Sequence, residues 1–266
     1  AVLDSHPNVE VRLFNPFSRN SGRGLQLVTR FGSVTRRMHN KSFTVDNQAA
    51  ILGGRNIGDE YFGADPELAF TDVDVLVIGP VVAEVSASFD RYWNSELAFP
   101  ATALLGRDPS AEEVDTGFGA LAAFVAEQSD SAYLRALRDS ELANRIRQNE
   151  VRFEWGDAHV VQDAPEKVTA DRSERAYHMA PQLNPYFEGV EEELLIFSPY
   201  FVPGEKGTAF LSDLSRRGIR VVVVTNSLAS TDVPVVHSGY AKYRRNLLRA
   251  GVALYEMKPQ PSKTKK

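Results

Sequence analysis

A histidine and a lysine two residues apart, His39 and Lys41, form the pair in this chain that is best suited to chemistry on an anion. Residues two apart in a strand point to the same face, so the two side chains would project together. Phe43 and Val45 would continue that face towards apolar packing. An imidazole can act as a nucleophile or carry a proton, and a neighbouring ammonium supplies a fixed positive charge. The pair therefore predicts a site for an anionic substrate.

An acidic residue, two glycines and an amide follow the pair at short spacing: Asp46, Gly53, Gly54 and Asn56. The alternation of apolar residues predicts a strand at 41–45, a turn at 46–48 and a second strand at 49–52. Paired glycines let backbone N–H groups approach a bound phosphate closely, and they also suit a tight turn. The two roles are compatible, so this hairpin is predicted to end in a phosphate-binding turn.

The full spacing, His39-x-Lys41-x4-Asp46-x6-Gly53-Gly54-x-Asn56, resembles the HKD motif of the phospholipase D superfamily at every position. Residues 55–63, 226–232 and 237–240 resemble the bacterial cardiolipin synthases of the C type. The resemblance extends over nearly the whole chain. Many members of the superfamily have serine where this chain has Gly54, so a hydroxyl contact to the substrate is absent here while the backbone N–H remains.

The resemblance implies a phosphatidyltransferase that works through a covalent phosphohistidine. It implies that His39 is the nucleophile, that Lys41 clamps the phosphoryl oxygens and that Asp46 orients the imidazole. It also implies a substrate-binding set of Gly53, Gly54 and Asn56. Neither a cofactor nor a metal is implied, because the lysine neutralises the charge that a metal cation neutralises elsewhere.

The composition is that of an ordinary globular protein of 266 residues, with 43% apolar and 24% charged residues. Without cysteine, disulfides and thiolate metal sites are excluded. The five histidines are scattered, so no metal cluster is expected. We also expect neither a membrane span nor a signal peptide, because we find neither a long apolar run nor a basic segment before an apolar stretch at the start.

The net charge of −5 argues against a general nucleic-acid coat. Basic residues nevertheless gather around the motif: Arg30, Arg36, Arg37, Lys41 and Arg55. They form either a solvated face or an electropositive funnel for phosphate head groups. Asp72 and Asp74, on one face of a predicted strand, are either paired acids for proton transfer or residues that solvate a strand edge. His237 is interpreted as a residue at a helix start, near the site.

Hydrophobic periodicity and turn residues divide the chain into predicted elements. In the first part we predict strands at 8–14 and 71–80, helices at 25–31, 81–93, 112–127 and 131–148, a connection at 97–109 and a hairpin at 150–162. In the second part we predict helices at 182–192, 207–217 and 240–250 and strands at 194–198, 219–225 and 252–256. Helices closed by glycine and followed by short apolar strands indicate βαβ units and a parallel sheet.

A weak internal repeat relates residues 8–16 to residues 251–259, each a turn residue, an alternating strand and a proline. The offset of 243 places a second HKD histidine near position 282, beyond residue 266. We therefore predict an α/β, phospholipase D-like fold of two related α/β/α halves, 1–178 and 179–266, with mixed, largely parallel sheets. Each half is expected to be incomplete, as in a chain cut at both ends.

The leading functional hypothesis is a transferase that acts on an anionic, phosphatidylglycerol-like phospholipid at a membrane surface, without nucleic acid. A second HKD half, from the full-length chain or from a dimer, would complete the site, so the chain alone is expected to be weak or inactive. The resemblance implies peripheral attachment to a bacterial cytoplasmic membrane. A phosphodiesterase or nuclease of the same superfamily and a non-catalytic phospholipid-binding chain stay open, as does the acceptor, water or an alcohol.

Overall fold

The structure is a computed structural model that describes residues 2–17, 36–62, 70, 72–105, 107–171 and 173–258. The helix predicted at 25–31 lies outside these residues. The chain divides into two compact units, Ala1–Gln182 and Leu183–Lys266. This boundary falls close to the one expected after residue 178, and the relationship between the two halves remains a prediction.

An antiparallel sheet of β2 (Ser42–Val45), β3 (Ala49–Gly53) and β4 (Asp74–Ile78) carries the motif in the first unit. The turn between β2 and β3 places Asp46 and Asn47 in the left-handed region, at φ of 51° and 54°. Asp and Asn tolerate this region better than other non-glycine residues. The predicted strand, turn and strand are therefore confirmed.

One face of this sheet is covered by α2 (Val81–Trp93), a helix with the predicted bounds. Ala50, Val82 and Val85 are fully buried at their contact, with Leu52, Val77 and Val160 packed around them. The opposite face bears Phe43, Ile51 and Leu76, which are paired across the strands and are exposed. The apolar packing expected of Phe43 and Val45 was therefore wrong: their side chains are 66% and 45% exposed.

Three short elements complete the strand and helix structure around this sheet. They are α1 (Asp59–Phe62), a two-stranded antiparallel ribbon of β1 (Arg12–Phe14) with β5 (Ala98–Pro100), and α3 (Ala101–Leu105). We predicted only a connection at 97–109. Pairing with β1 makes a strand there, and this long-range partner is not visible in the local sequence.

Serine caps decide how the middle of the chain is divided into α4 (Ala111–Gln128), α5 (Ala132–Arg138) and α6 (Glu141–Arg147). The Oγ of Ser140 accepts a bond from the Ala143 N–H and starts a new helix, so the single helix predicted at 131–148 was wrong. The hairpin predicted at 150–162 was also wrong, since these residues form no strand. Instead, the Val160 N–H donates to the Glu84 carboxylate of α2 at 2.8 Å.

The second unit consists of α7 (Met179–Glu188, which begins in the first unit), β6 (Glu193–Phe197), α8 (Gly204–Arg216), β7 (Arg220–Asn226), α9 (Pro234–Arg249) and β8 (Ala253–Met257). The strands lie in the order β6-β7-β8 and pair in parallel, which confirms the predicted βαβ units. Gly218 and Gly251 end α8 and α9 with φ of 88° and 94°, as glycine permits.

The core of this unit lies on one face of its sheet. Val221, Val223 and Leu214 are almost fully buried there with residues of both crossover helices. The other face exposes Phe197 and Tyr255. Right-handed crossovers between successive neighbouring strands place both helices on the same side, which explains the difference between the faces. With parallel pairing here and antiparallel pairing in the first unit, the mixed α/β class is confirmed.

Candidate active site

His39 and Lys41 lie just before β2, and hydrogen bonds to backbone carbonyls hold this part of the chain. The Lys41 ammonium donates to the His39 carbonyl oxygen at 3.0 Å, which fixes the charge beside the histidine. The Gly53 N–H donates to the Lys41 carbonyl oxygen at 3.4 Å and extends the hairpin by one residue before the start of β2. The structure thus brings the His39–Lys41 pair and the glycines to the same end of the hairpin, and it leaves His39 exposed.

Two carboxylates pack against the glycine pair. A Cβ at Gly53 would overlap the Asp74 carboxylate, and a Cβ at Gly54 would overlap the Asp72 carboxylate. A side chain at either glycine would therefore force the facing carboxylate to move. Asp74 forms an ion pair with Arg55, so it does more than solvate a strand edge.

Opposing effects act on the charge of Lys41. Partial burial lowers the pKa of Lys41, because desolvation disfavours the ammonium. The nearby Asp72 carboxylate opposes this and raises the pKa of Lys41. Asp72 therefore belongs to the electrostatics of the site. The sequence offered two readings of Asp72, and neither included a contact with the motif's glycine or a charge effect on its lysine.

The two remaining predicted site residues, Asn56 and Asp46, make no contact with His39 in the structure. The Asn56 amide donates to the Tyr61 hydroxyl at 2.8 Å. Asp46 lies in the turn at the far end of β2, exposed, roughly 16 Å along the strand from Lys41. The structure does not bring Asp46 to His39, and this position does not suit the orienting role that the resemblance implies.

Arg36 is engaged with protein oxygens and does not face an open funnel. Its guanidinium donates to three backbone carbonyls at 2.6, 3.1 and 3.2 Å, those of Lys167, Val168 and Ala170. These carbonyls lie at the end of the short 3₁₀ helix Pro165–Val168. Arg36 therefore ties the chain just before the motif to a distant segment of the same unit.

Arg37 and Arg55 are likewise bound within the protein. Arg37 donates to the Asn15 carbonyl and lies over the Phe17 ring at 4.5 Å. Arg55 pairs with Asp74 and donates to the Tyr61 carbonyl at 2.6 Å. Arg30 lies outside the described residues. Of the two alternatives offered by the sequence, the funnel is therefore not formed by the arginines that can be described.

A contact that the sequence did not indicate lies next to the motif, on the side of α2. The Tyr92 hydroxyl donates to the Asp163 carbonyl oxygen at 2.8 Å. Burial raises the pKa of Tyr92, and the nearby side chain of Asn40, between His39 and Lys41, opposes this shift. Tyr92 occupies an apolar position of α2, so by sequence it looks like any core residue.

Asn40 and Tyr92 also line a cavity of about 140 Å³. The other lining residues are mainly apolar and aromatic: Phe14, Met38, Phe89, Trp93 and Ala98, with Arg12, Ser42 and Ser88. Along an extended segment, Met38, Asn40 and Ser42 alternate with His39 and Lys41. The cavity therefore lies on the side of the segment away from the reactive pair.

Two further features bear on function. His237 lies in the first turn of α9, and its ring meets Tyr240 edge-on at 5.6 Å between centroids. Its Nδ1 is buried and has no hydrogen-bond partner among the described residues. Its expected nearness to the site stays a prediction. Over the described ranges, no cluster of three or more His, Cys, Asp or Glu residues could hold a metal ion.

Comparison with known proteins supplies the family context. No protein-family model matches the chain. It is 42% identical over 259 residues to cardiolipin synthase C of Escherichia coli strain K12, an alignment that includes 97% of this chain and 54% of that protein. The predicted resemblance to the cardiolipin synthases of the C type is confirmed. The chain spans about half the length of this relative.

More distant similarities are also found. The chain is 32% identical over 224 residues to cardiolipin synthase A of Pseudomonas syringae, which covers 84% of this chain and 36% of that protein. Among solved structures, phosphatidylserine synthase of Haemophilus influenzae aligns with 80% of this chain and 44% of its own, at 16% identity and a TM-score of 0.44. In the part of the chain that the structure describes, no helix is long and apolar enough to span a bilayer.

Proposed function

We propose that this chain contributes the His39 half of a phosphatidyltransferase site of the cardiolipin synthase type, which acts on an anionic phospholipid such as phosphatidylglycerol. The observation that carries the proposal is the 42% identity to cardiolipin synthase C over 97% of the chain. The placement of an ammonium beside His39, by the bond from Lys41 to the His39 carbonyl, supports it. Attachment would be peripheral, at the bacterial cytoplasmic membrane.

In the proposed reaction, an imidazole nitrogen of His39 attacks phosphorus, and the bond from phosphorus to the leaving alcohol oxygen breaks. This divides one difficult displacement into two easier steps. In this proposal the Lys41 ammonium neutralises a phosphoryl oxygen and the Gly54 N–H donates to another. The Gly53 N–H, which donates to the Lys41 carbonyl, holds the two strand ends together. The Asn56 amide would exchange its bond with Tyr61 for a bond to the substrate.

A second group must protonate the leaving alcohol and then deprotonate the acceptor. We propose that a second HKD half supplies it, from the full-length protein or from a partner chain. The acceptor hydroxyl then attacks the phosphohistidine, which frees His39 and forms the new phosphodiester. A second phospholipid head group as acceptor gives cardiolipin, whereas water gives phosphatidic acid.

The test is phosphatidyl transfer from labelled phosphatidylglycerol in mixed micelles. It would compare the chain alone, the chain with the separately produced C-terminal half of E. coli cardiolipin synthase C, and the same mixture with His39→Ala. His6→Ala, at an exposed histidine of the same unit, is the matched control. We expect cardiolipin only from the mixture that contains both His39 and the second half.

Each other outcome points elsewhere. Phosphatidic acid as the sole product would replace transfer by hydrolysis. Turnover of an oligonucleotide diester without turnover of lipid would favour a nuclease of the same superfamily. Lipid binding without turnover in any mixture would contradict the catalytic proposal and favour a phospholipid-binding chain.

A further inference from the structure

The segment that follows the motif brings the hydroxyl of Tyr61 against the side chain of Asn56. The Asn56 amide donates to this hydroxyl at 2.8 Å. Asn56 is exposed and Tyr61 is partly exposed, so a substrate can reach both side chains. A phenolic hydroxyl that accepts a hydrogen bond still has its own proton to donate. Among the residues that the structure describes, no acceptor is found for the proton of Tyr61.

Arg55 connects Tyr61 to the residues around the glycine pair. Its guanidinium donates to the Tyr61 carbonyl oxygen at 2.6 Å and to the Asp72 carbonyl oxygen at 3.3 Å. The same guanidinium forms the ion pair with Asp74. The carboxylates of Asp72 and Asp74 are the ones that pack against the two glycines of the motif. Tyr61 is therefore bonded into the cluster that surrounds the proposed phosphate-binding turn.

The ring of Tyr61 packs against Phe70, with 5.1 Å between the ring centroids and 57° between the ring planes. The Phe70 N–H donates to the carbonyl oxygen of Glu60 at 2.8 Å, which holds the two aromatic residues together. These contacts and the bond from Arg55 involve the ring and the backbone of Tyr61. The hydroxyl is therefore not needed to keep Tyr61 in place.

The hydroxyl of Tyr61 lies where it can reach a bound phosphoryl group. In the proposed reaction, the Asn56 amide moves its bond from Tyr61 to a phosphoryl oxygen. That oxygen then lies close to the hydroxyl, because both oxygens bond to the same amide nitrogen within hydrogen-bond distance. A donor that points at an oxygen where negative charge develops stabilises the transition state. A neutral hydroxyl can do this beside the Lys41 ammonium without a further cation.

We propose that the Tyr61 hydroxyl donates a hydrogen bond to a phosphoryl oxygen of the bound phospholipid. Tyr61 would then be a substrate-contacting residue that lies outside the HKD spacing. The inference rests on the proposed function for the identity of the substrate. The proton stays on Tyr61 throughout the reaction, and no covalent bond forms or breaks at its hydroxyl.

The first test is the transfer assay with both halves, in which the chain carries Tyr61→Phe. This change keeps the ring and removes only the hydroxyl. We expect kcat/KM to fall by about tenfold to a hundredfold, as when one donor to a charged oxygen is lost. The urea midpoint of unfolding should stay the same, because the exposed Asn56 can bond to water instead. Tyr133→Phe, at a partly buried tyrosine of α5, is the matched control and should transfer normally.

A second variant separates direct contact with the substrate from an effect that passes through Asn56. In an Asn56→Ala background, Tyr61→Phe should still lower kcat/KM, by about tenfold. If the loss disappears in that background, Tyr61 only orients the Asn56 amide, and the direct contact is overturned. Unchanged kcat/KM in Tyr61→Phe alone would also overturn it.

Binding of orthovanadate, a tetrahedral analogue of phosphate, separates this inference from the proposed function. If the unaltered mixture shows no transfer, calorimetric titration of the whole chain with orthovanadate decides the matter, since it needs neither lipid nor a second half. We then expect Tyr61→Phe to bind orthovanadate about tenfold more weakly than the unaltered chain and Tyr133→Phe to bind it equally well. That result would leave the phosphoryl contact standing while the proposed function falls. Equal binding by Tyr61→Phe, or no binding by the unaltered chain, would overturn the contact.

Discussion

Removing the hydroxyl of Tyr92 tests whether this residue of α2 stabilises the segment that contains His39, Asn40 and Lys41. Tyr92 is 8% exposed, its hydroxyl donates to the Asp163 carbonyl at 2.8 Å, and the side chain of Asn40 is near enough to lower the pKa of Tyr92. Tyr92→Phe keeps the ring, its contact with Phe14 and the packing of α2. It leaves a partly buried carbonyl without its donor, which costs about 1–3 kcal/mol of unfolding free energy. Asn40 is exposed and can bond to water instead, so it should contribute little to this loss of unfolding free energy.

The assay is urea unfolding followed by tryptophan fluorescence. Both tryptophans of the chain, Trp93 and Trp155, lie in the first unit, so the signal reports this unit alone. A double-mutant cycle of Tyr92→Phe with Asn40→Ala measures whether the two side chains interact, with an expected coupling of about 0.5–1 kcal/mol. Tyr133→Phe, in α5 of the same unit, is the matched control and should change the free energy by less than about 0.5 kcal/mol.

The result that would refute this reasoning is specific. If Tyr92→Phe unfolds at the same urea concentration as the unaltered chain, the hydroxyl contributes nothing and the anchor does not exist. If Tyr92→Phe is destabilised but the cycle gives zero coupling, Tyr92 stabilises the helix without supporting Asn40. Only a loss of unfolding free energy together with a non-zero coupling energy would show that Tyr92 stabilises the segment between His39 and Lys41.

Three other predictions follow from the same unit. Arg36→Gln removes a guanidinium from three carbonyls and should cost about 2 kcal/mol or more in the fluorescence assay, whereas a role in a phosphate funnel would leave stability unchanged. Gly54→Ala should destabilise by about 1–3 kcal/mol because its Cβ would overlap a carboxylate, whereas Gly119→Ala, where a Cβ meets nothing within 4 Å, should not. The bond from Arg107 lowers the pKa of Glu113 to about 2, so its stabilisation of α4, present above the ordinary pKa of 4.5, should fade as pH falls from 4.5 to 2. Glu113→Gln should abolish that part of the acid transition, measured by circular dichroism, and an unchanged transition would contradict the assignment.

Local signals in the sequence were sufficient for several elements. The helix at Val81–Trp93 has its predicted bounds, because a proline precedes it and apolar residues recur at helical spacing. The parallel βαβ units of the second part were predicted from glycine helix ends and short apolar strands, and both signals are local. The turn at 46–48 was likewise indicated by its polar residues.

Elements that depend on contacts between distant parts of the chain could not be predicted from the local sequence. The strand at Ala98–Pro100 exists because it pairs with Arg12–Phe14, more than 80 residues earlier. Residues 150–162 look like a hairpin by composition, but the Val160 N–H is satisfied by Glu84 of a distant helix. Alternation correctly gave Phe43 and Val45 one face of a strand, but it could not say which face the helix covers.

The site shows the same limit. The spacing of His39 and Lys41 predicts a reactive pair, and their catalytic role stays a prediction. It could not show that Asp72 packs on Gly54 and acts on the charge of Lys41, because this contact depends on how β4 pairs with β3. Nor could it show that Arg36 is bound to carbonyls 131 to 134 residues away.

The charges around His39 explain why the proposed reaction needs a second half. Among the described residues, the guanidinium groups of Arg36, Arg37 and Arg55 are bound to oxygens of the protein itself. Lys41 is left to neutralise the substrate, and the Asp72 carboxylate that favours its protonated form also repels an anion. A phosphodiester carries one negative charge, and attack by a neutral imidazole places further charge on the phosphoryl and leaving oxygens. One lysine does not balance that charge in the transition state, and in the proposed reaction a second cation and a proton donor therefore come from another HKD half, whichever alcohol is the acceptor.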